Sequence, residues 1–283
     1  MSYDIIESEF NKKLSSAYQL SILAGMDSLV YFVFDVASGN ALLLKTLAYA
    51  TRPADKLELS RELNAVFTRE ELLSYLYRRV KILLPDQPSV IVPSRLYNEL
   101  EKATYFKELT DRESNLQIQT DDLDGIDARV VYPADPTLMS MIKKQFPTAR
   151  FYCQTTPLLL GFKNMVESSE AHTFFAHFVA GTLHLALFEK QSLQFYNTYP
   201  CSSASDVLYF TLLAYNQFSL DPARIPLRLS GQILEDSEIF RMLSRYVANL
   251  RFLEEPRFLK FSRKFSDVPV HFFFDVFSLA LCK

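Results

Sequence analysis

The sequence is poor in the residues that build phosphate loops, metal sites and disulfide frameworks. Its 283 residues include six glycines, three cysteines and no tryptophan. Proteins average about 7% glycine, so six glycines is a low number for a chain of this length and leaves few for a glycine-rich phosphate loop. The cysteines, Cys153, Cys201 and Cys282, are odd in number and far apart, which argues against both a disulfide framework and a Cys-x-x-Cys zinc site. They are predicted to be small buried side chains.

The sequence also lacks a marked excess of either charge and lacks a long apolar run. Its formal net charge of -3 gives no broad basic surface, so a nucleic-acid partner is not expected. No apolar run reaches the roughly 18 residues of a spanning helix, and the polar start "MSYDIIESEFNKK" does not resemble a secretory signal. We therefore expect a compact cytoplasmic protein with no membrane span.

A strand pattern occurs twice along the chain. The stretch "LVYFVF" at 29–34 parallels "LHLALF" at 183–188. Each copy follows an extended run that ends in Ala-Gly, and each precedes a short turn and a third apolar run. Alternating apolar runs joined by short turns are typical of β-hairpins. Both halves are therefore predicted to open with a three-stranded antiparallel meander.

Helices are predicted after each meander. "SASDVLYFTLLAYNQF" has a broad apolar face at helical spacing, with Ser205 as its cap. A strand ("IPLRLSGQI"), a helix ("EDSEIFRMLSRYV") and a short strand ("NLRFLEE") follow, which gives the order βββαβαβ. In the first half "LELSRELNAVF" and "TREELLSYLYRRV" predict helices, and Thr68 and Glu71 have capping-box spacing. "VKILLPDQPSVIVP" predicts extended chain, and "PTLMSMIKKQFP" predicts a short helix.

This duplicated order resembles that of the actin-like ATPase superfamily, in which two lobes flank a nucleotide cleft. "SVIVPSRLYNEL" at 89–100 and "FYNTYPCSSASDVLYFTLLAYNQF" at 195–218 resemble an uncharacterised bacterial family, a domain of unknown function with an actin-like fold. The resemblance implies an α/β protein of two ribonuclease-H-like βββαβαβ units and carries no assigned activity. We predict lobes at 1–165 and 166–283, with a C-terminal helix at about 269–282 packing back towards the first lobe.

The residues expected at the phosphate loops depart from the superfamily pattern. Catalytic members carry Asp-x-Gly between the first two strands of each lobe, because glycine admits phosphate to the backbone and the acid holds magnesium or orients water. Here Leu23 and Val179 occupy the two acid positions, and Ser230 precedes Gly231 where the pattern favours a second glycine. The degenerate cleft turns are Ala24, Gly25, Asp27, Ala180, Gly181, Thr182, Ser230 and Gly231. We predict no catalytic residue, metal or cofactor, and find no support for ATP and magnesium.

Two functions follow from these turns. The first is a non-catalytic actin-like scaffold or regulatory protein that binds protein partners. The second is a phosphotransferase or ATPase in which Asp27 or Asp35 replaces the missing acids. The first is favoured, because an aspartate beside a tight turn usually bonds its own backbone.

Three other patterns carry weaker signals. His172, His177 and His184 form a possible metal site, and His177 and His184 could meet across a hairpin. The favoured explanation is that these two are polar residues on the solvent side of a half-buried sheet. "TDDLDGIDA" at 120–128 lacks the terminal glutamate of a calcium loop and is expected to be solvated. "RRVK" at 78–81 and "RFLKFSRKF" at 257–265 interleave basic and aromatic residues, as single-strand nucleic-acid surfaces do, but a solvated face with inward aromatics is favoured.

Overall fold

A computed structural model describes residues 2–84, 88–106 and 116–283 of the chain. The chain forms two compact units. Unit 1 comprises Met1–Leu160, Phe258–Val268 and Val276–Lys283, and unit 2 comprises Gly161–Arg257 and Pro269–Asp275. Within the described ranges, no helix combines the length and apolar character that crossing a bilayer requires.

Unit 1 contains two sheets, a larger one of six strands and a smaller one of three. Its strands are β1 (Asp4–Ile6), β2 (Tyr18–Ala24), β3 (Ser28–Asp35), β4 (Ala41–Ala48), β5 (Arg79–Leu84), β6 (Val90–Pro93), β7 (Gln117–Asp122), β8 (Ala128–Ala134) and β9 (Arg150–Cys153). Its helices are α1 (Lys56–Arg69), α2 (Pro136–Gln145) and the first part of α3 (Thr155–Met165). Short 3-10 helices cover Lys12–Ala17, Glu71–Ser74, Ser94–Leu96, Glu99–Phe106, Arg263–Phe265 and Leu279–Leu281.

The larger sheet has the strand order β1-β4-β3-β2-β5-β9. Strands β2, β3 and β4 form the predicted antiparallel meander, and β5 and β9 add to it in parallel. Successive residues of β3 such as Tyr31 and Phe32 are fully buried, so both faces of the sheet are covered. Near-continuous apolar strands are expected wherever a sheet has no solvent face. The smaller sheet has the order β6-β8-β7.

Unit 2 contains a five-stranded sheet of order β12-β11-β10-β13-β14. Its strands are β10 (His172–Val179), β11 (Thr182–Glu189), β12 (Ser192–Pro200), β13 (Leu227–Gly231) and β14 (Leu250–Phe252), with helices α4 (Ala204–Gln217) and α5 (Glu238–Leu243). The meander β10–β12 is antiparallel, and β13 and β14 are parallel to β10. This is the predicted βββαβαβ order, and the same meander with parallel strands occurs in unit 1.

The predicted C-terminal helix is helical in three consecutive pieces. Val270–Phe273 is a 3-10 helix, α6 (Phe274–Ser278) is α-helical, and Leu279–Leu281 is again 3-10. Residues from Val276 onward belong to unit 1. There the Phe277 ring packs edge-on against Phe32 of β3, with ring centroids 4.7 Å apart.

Two predicted caps and one predicted helix are wrong. Helix α4 begins after Ser203 rather than Ser205, because Ser203 and Asp206 form a reciprocal capping box. Thr68 lies inside α1, where its hydroxyl donates to Asn64 O at 2.8 Å, and so cannot cap a second helix. The "TREELLSYLYRRV" segment contributes only the 3-10 turn at Glu71–Ser74 before β5 begins at Arg79. Of "VKILLPDQPSVIVP", residues 85–87 lie outside the described residues, and β5 and β6 account for the extended parts on either side.

Candidate functional site

The first predicted cleft turn joins β2 to β3 in unit 1. Ala24 ends β2 and is buried, and Leu23 in the acid position is half-buried. The Tyr49 hydroxyl donates to Gly25 O at 2.8 Å. Burial raises the pKa of Tyr49, so this hydroxyl remains a protonated donor. The turn is therefore fixed by contacts within its own unit.

Both aspartates considered as replacement acids have local partners. The Asp27 carboxylate lies 2.8 Å from Arg52 Nε, and both side chains are largely exposed. The Asp35 carboxylate accepts from the backbone N–H of Ala37 at 2.7 Å and of Ser38 at 3.3 Å. This is the self-bonding turn geometry in which aspartate replaces a backbone acceptor.

The second predicted cleft turn joins β10 to β11 in unit 2. Val179 pairs with Thr182, so Ala180 and Gly181 alone form the loop. Their φ angles are +49° and +78°. A two-residue loop with positive φ at both positions is the turn that matches the twist of a β-hairpin. Gly181 O accepts from Cys201 N at 2.7 Å, which fastens this turn to the end of β12.

Ala180 is strained in this turn, and glycine is expected to relieve the strain. A non-glycine residue in the left-handed region costs about 1 kcal/mol, whereas the greater freedom of glycine in the unfolded chain costs about 0.5–1 kcal/mol. We expect Ala180→Gly to leave the free energy of unfolding unchanged or to raise it by up to about 0.5 kcal/mol. Ala171→Gly, at an exposed position without positive φ, is the control and should lower it. Urea denaturation of both variants checks the prediction, and equal losses would contradict it.

The Ser230–Gly231 pair ends β13 beside the second turn. In the parallel pairing of β10 with β13, Ser230 lies opposite His177 and Gly231 lies opposite Phe178. Phe178 O accepts from Gln232 N at 2.7 Å, which draws the two backbones together over Gly231. A Cβ built on Gly231 would lie 2.2 Å from Phe178 O. The structure thus brings Ala180, Gly181, Thr182, Ser230 and Gly231 to the carboxyl ends of two adjacent strands.

A buried polar group accompanies this pair. His177 Nδ1 lies 3.0 Å from Ser230 Oγ, and His177 Nε2 lies 3.8 Å from Asp275 Oδ2. His184 lies directly opposite His177, and its Nδ1 is 2.7 Å from the Tyr196 hydroxyl. Burial lowers the pKa of His177 well below its ordinary range and lowers that of His184 to about 4. Both imidazoles are therefore neutral at physiological pH.

Serine, histidine and aspartate in one group raise the question of a hydrolase triad. In such a triad serine bonds Nε2 and aspartate bonds Nδ1, which is the reverse of the arrangement around His177. Ser230 and His177 have no exposed surface, and Asp275 is 2% exposed. A nucleophile that substrate cannot reach does not attack it. This group is a buried polar network that joins β10, β13 and the C-terminal segment.

The interpretation of His177 and His184 as solvent-side residues is wrong, because both side chains are buried. Among the described residues, no three His, Cys, Asp or Glu side chains are grouped so as to hold a metal ion. In the "TDDLDGIDA" segment Asp121 is buried, where the Thr156 hydroxyl donates to it at 2.6 Å and Tyr132 donates at 3.2 Å. Sequence spacing gave no signal for Asp121 or Asp275, since their partners are remote in the chain.

Solved structures with a similar fold belong to proteins with diverse roles. A Bacteroides thetaiotaomicron protein of unknown function with an actin-like ATPase fold superposes with a TM-score of 0.81 at 20% identity, covering 98% of this chain and 100% of that chain. The PilM–PilN type IV pilus biogenesis complex gives 0.55 at 13% identity, covering 93% and 97%. Ethanolamine utilization protein EutJ from Carboxydothermus hydrogenoformans gives 0.51 at 9% identity, covering 94% and 90%. At these identities the likeness shows the fold, and the protein has an actin-like ATPase fold.

The sequence comparisons agree with the resemblance inferred from the two quoted segments. No curated protein matches the chain. The model of DUF3822, a family of proteins of unknown function, matches residues 7–250, and the chain belongs to that family.

Proposed function

We propose that this protein is a non-catalytic actin-like scaffold or regulatory protein, with lobes at 1–165 and 166–283, that acts by binding other proteins. The observation that carries the proposal is the pair of hydrocarbon side chains, Leu23 and Val179, at the acid positions of the two cleft turns. A hydrocarbon side chain offers no oxygen to Mg²⁺, which binds through carboxylates, water and phosphate oxygens.

The local bonding of the nearby acids supports the same proposal. Asp27 is engaged by Arg52, and Asp35 caps its own turn. Moving either carboxylate to a metal would break those contacts.

The comparison with PilM–PilN supports a role in assembly. That structure is a protein–protein complex with a similar fold. By analogy alone, we propose that this chain also has a protein partner. The analogy concerns the kind of role, not the identity of the partner.

Assays with magnesium and ATP test the loss of catalysis. We expect the full chain to release no more phosphate than buffer, and the double variant Asp27→Asn with Asp35→Asn to be indistinguishable from it. Asp236→Asn, at an exposed position, is the matched control. Magnesium-dependent hydrolysis that the double variant loses and the control retains would support relocated acids and overturn the proposal. Calorimetry with magnesium and ATP separates binding from turnover.

A further inference from the structure

A row of basic side chains crosses two adjacent strands of unit 1. Arg79 and Lys81 alternate on β5 and so point to the same face of the sheet. Arg150 on β9 lies directly opposite Lys81 in the parallel pairing. Like charges directly opposite one another on adjacent strands are destabilising. Three cations on one face therefore require compensation.

A pocket of about 470 Å³ opens over this face. It is lined by residues 78–81, Thr148, Arg150 and residues 280–283. Among the described residues that line it, no side chain carries a carboxylate or an aromatic ring. Its size lies within the range typical of small-ligand sites.

Lys81 is compensated within the protein. Its ammonium donates to Leu279 O at 2.8 Å and to Cys282 O, at the end of the last 3-10 helix. Leu279 O also accepts from the backbone N–H of Cys282 at 3.3 Å, so this carbonyl is shared between the ammonium and the 3-10 turn. Burial, with the charges of Arg79 and Arg150 adding to it, lowers the pKa of Lys81 to about 8.

Among the described residues the arginines have no carboxylate partner, although the Arg150 side chain forms a hydrogen bond with that of Tyr152. In the described part of the chain, no carboxylate lies within ion-pair distance of Arg78, Arg79 or Arg150, and the Arg78, Arg79 and Arg150 residues are exposed. Lys283 differs, since its ammonium lies 3.0 Å from Asp124. Three guanidinium groups thus surround one concavity, and no described side chain places a carboxylate within ion-pair distance of any of them.

We propose that this pocket binds a soluble phosphate-bearing small molecule. Arginine forks match phosphate oxygens two at a time, and several of them around one pocket suit a multiply charged anion. A single-stranded nucleic acid would require aromatic platforms for its bases, which the lining lacks. The bound anion would supply the missing counter-charge.

This pocket is separate from the predicted cleft turn of the same unit. It lies at the amino ends of β5 and β9, where Arg79 and Arg150 are the first residues of their strands. The turn at Ala24–Gly25 follows the carboxyl end of β2, which runs parallel to β5. The proposal is therefore independent of whether the cleft turns bind nucleotide.

Calorimetry with inorganic pyrophosphate, at ionic strength matched with chloride, tests the proposal. We expect saturable binding to the full chain and a loss of at least about tenfold in affinity for the double variant Arg79→Gln with Arg150→Gln. Arg245→Gln, an exposed arginine in unit 2, is the control and should bind as the unmodified chain does. The double variant without ligand should be at least as stable to urea, because removing like charges relieves repulsion.

Several outcomes would overturn the proposal. They are the absence of saturable binding to the unmodified chain, equal affinity in the double variant, or a double variant whose ligand-free stability falls, which would indicate structural arginines. Arginine-dependent binding of single-stranded RNA without binding of pyrophosphate would assign the surface to nucleic acid. Arginine-dependent sedimentation with anionic vesicles alone would assign it to a lipid surface.

Discussion

Replacing Gly231 with alanine is expected to destabilise unit 2 by more than about 4 kcal/mol, enough to prevent stable folding of that unit. The new Cβ would lie 2.2 Å from Phe178 O and 2.8 Å from both Phe178 C and Phe178 N. These are backbone atoms of a paired strand, so relief requires separating β10 from β13. The φ of +86° adds left-handed strain to the clash.

Gly39→Ala is the matched control for this prediction. Gly39 also has a positive φ, of +75°, but the atom nearest to a Cβ built there is Phe258 O, at 3.5 Å. Alanine at position 39 would have a strained φ but no steric clash, so we expect the free energy of unfolding to fall by about 1–2 kcal/mol. Thermal and urea unfolding of both variants give the comparison. Similar losses at the two glycines would show that backbone strain, not the approach of Phe178, limits position 231.

Acidification is expected to change the stability of the two units in opposite directions. In unit 2, burial lowers the pKa of His184 from an ordinary 6.5 to about 4. Between those values the unfolded chain binds the proton and the folded unit does not. Stability is therefore lost as pH falls through this window, by about 3 kcal/mol for His184. His177, whose pKa is also lowered by burial, acts in the same direction.

Asp121 has the opposite effect in unit 1. Burial raises its pKa from an ordinary 3.8 to about 7, against hydrogen bonds from Thr156 and Tyr132 that favour the charged form. Here the folded unit binds the proton before the unfolded chain does. Stability therefore rises as pH falls from about 7 towards 4, by about 4 kcal/mol. The two units should respond separately, so one unfolding midpoint would not describe both.

Hydrogen exchange of each unit at pH 7 and at about pH 4.5 measures the slope of its stability against pH. His184→Gln should remove most of the acid sensitivity contributed by that residue in unit 2, and Asp121→Asn should flatten the slope of unit 1. His172→Gln is the control, because the His172 side chain is 31% exposed beside Glu189. Slopes that run in parallel in the two units, or that neither variant alters, would contradict the assignment.

The sequence predicted regular structure well where a single repeating pattern dominates. The two meanders, α1, α4 and the strands β13 and β14 follow from apolar periodicity and turn residues. The caps were less accurate, since Ser203, Ser205 and Thr68 are all suitable residue types and only the backbone selects among them. Strand β7 was not predicted, because the polar residues of Gln117–Asp122 gave no clear alternation.

The candidate sites were harder to predict because they depend on register and on chain reversal. Nothing in the spacing of His177 and Asp275 shows that the C-terminal segment returns to β10. Nor does "RRVK" show that Arg150 will stand opposite Lys81. The histidines illustrate the same limit, since alternation predicts that two residues share a face but not whether that face is covered.

Unit 1 is discontinuous along the chain, because Phe258–Val268 and Val276–Lys283 complete it. In this sequence Val276–Lys283 follow every residue of unit 2, and Phe258–Val268 follow all of unit 2 except Pro269–Asp275. The carbonyls of Leu279 and Cys282, to which Lys81 donates, are therefore made more than a hundred residues after Lys81 itself. Contacts between segments so far apart in the chain slow folding, and apolar surface stays exposed to solvent until they form. During synthesis unit 2 is thus expected to be completed before unit 1, and the earlier-made part of unit 1 is expected to depend on chaperone protection until Val276–Lys283 have emerged.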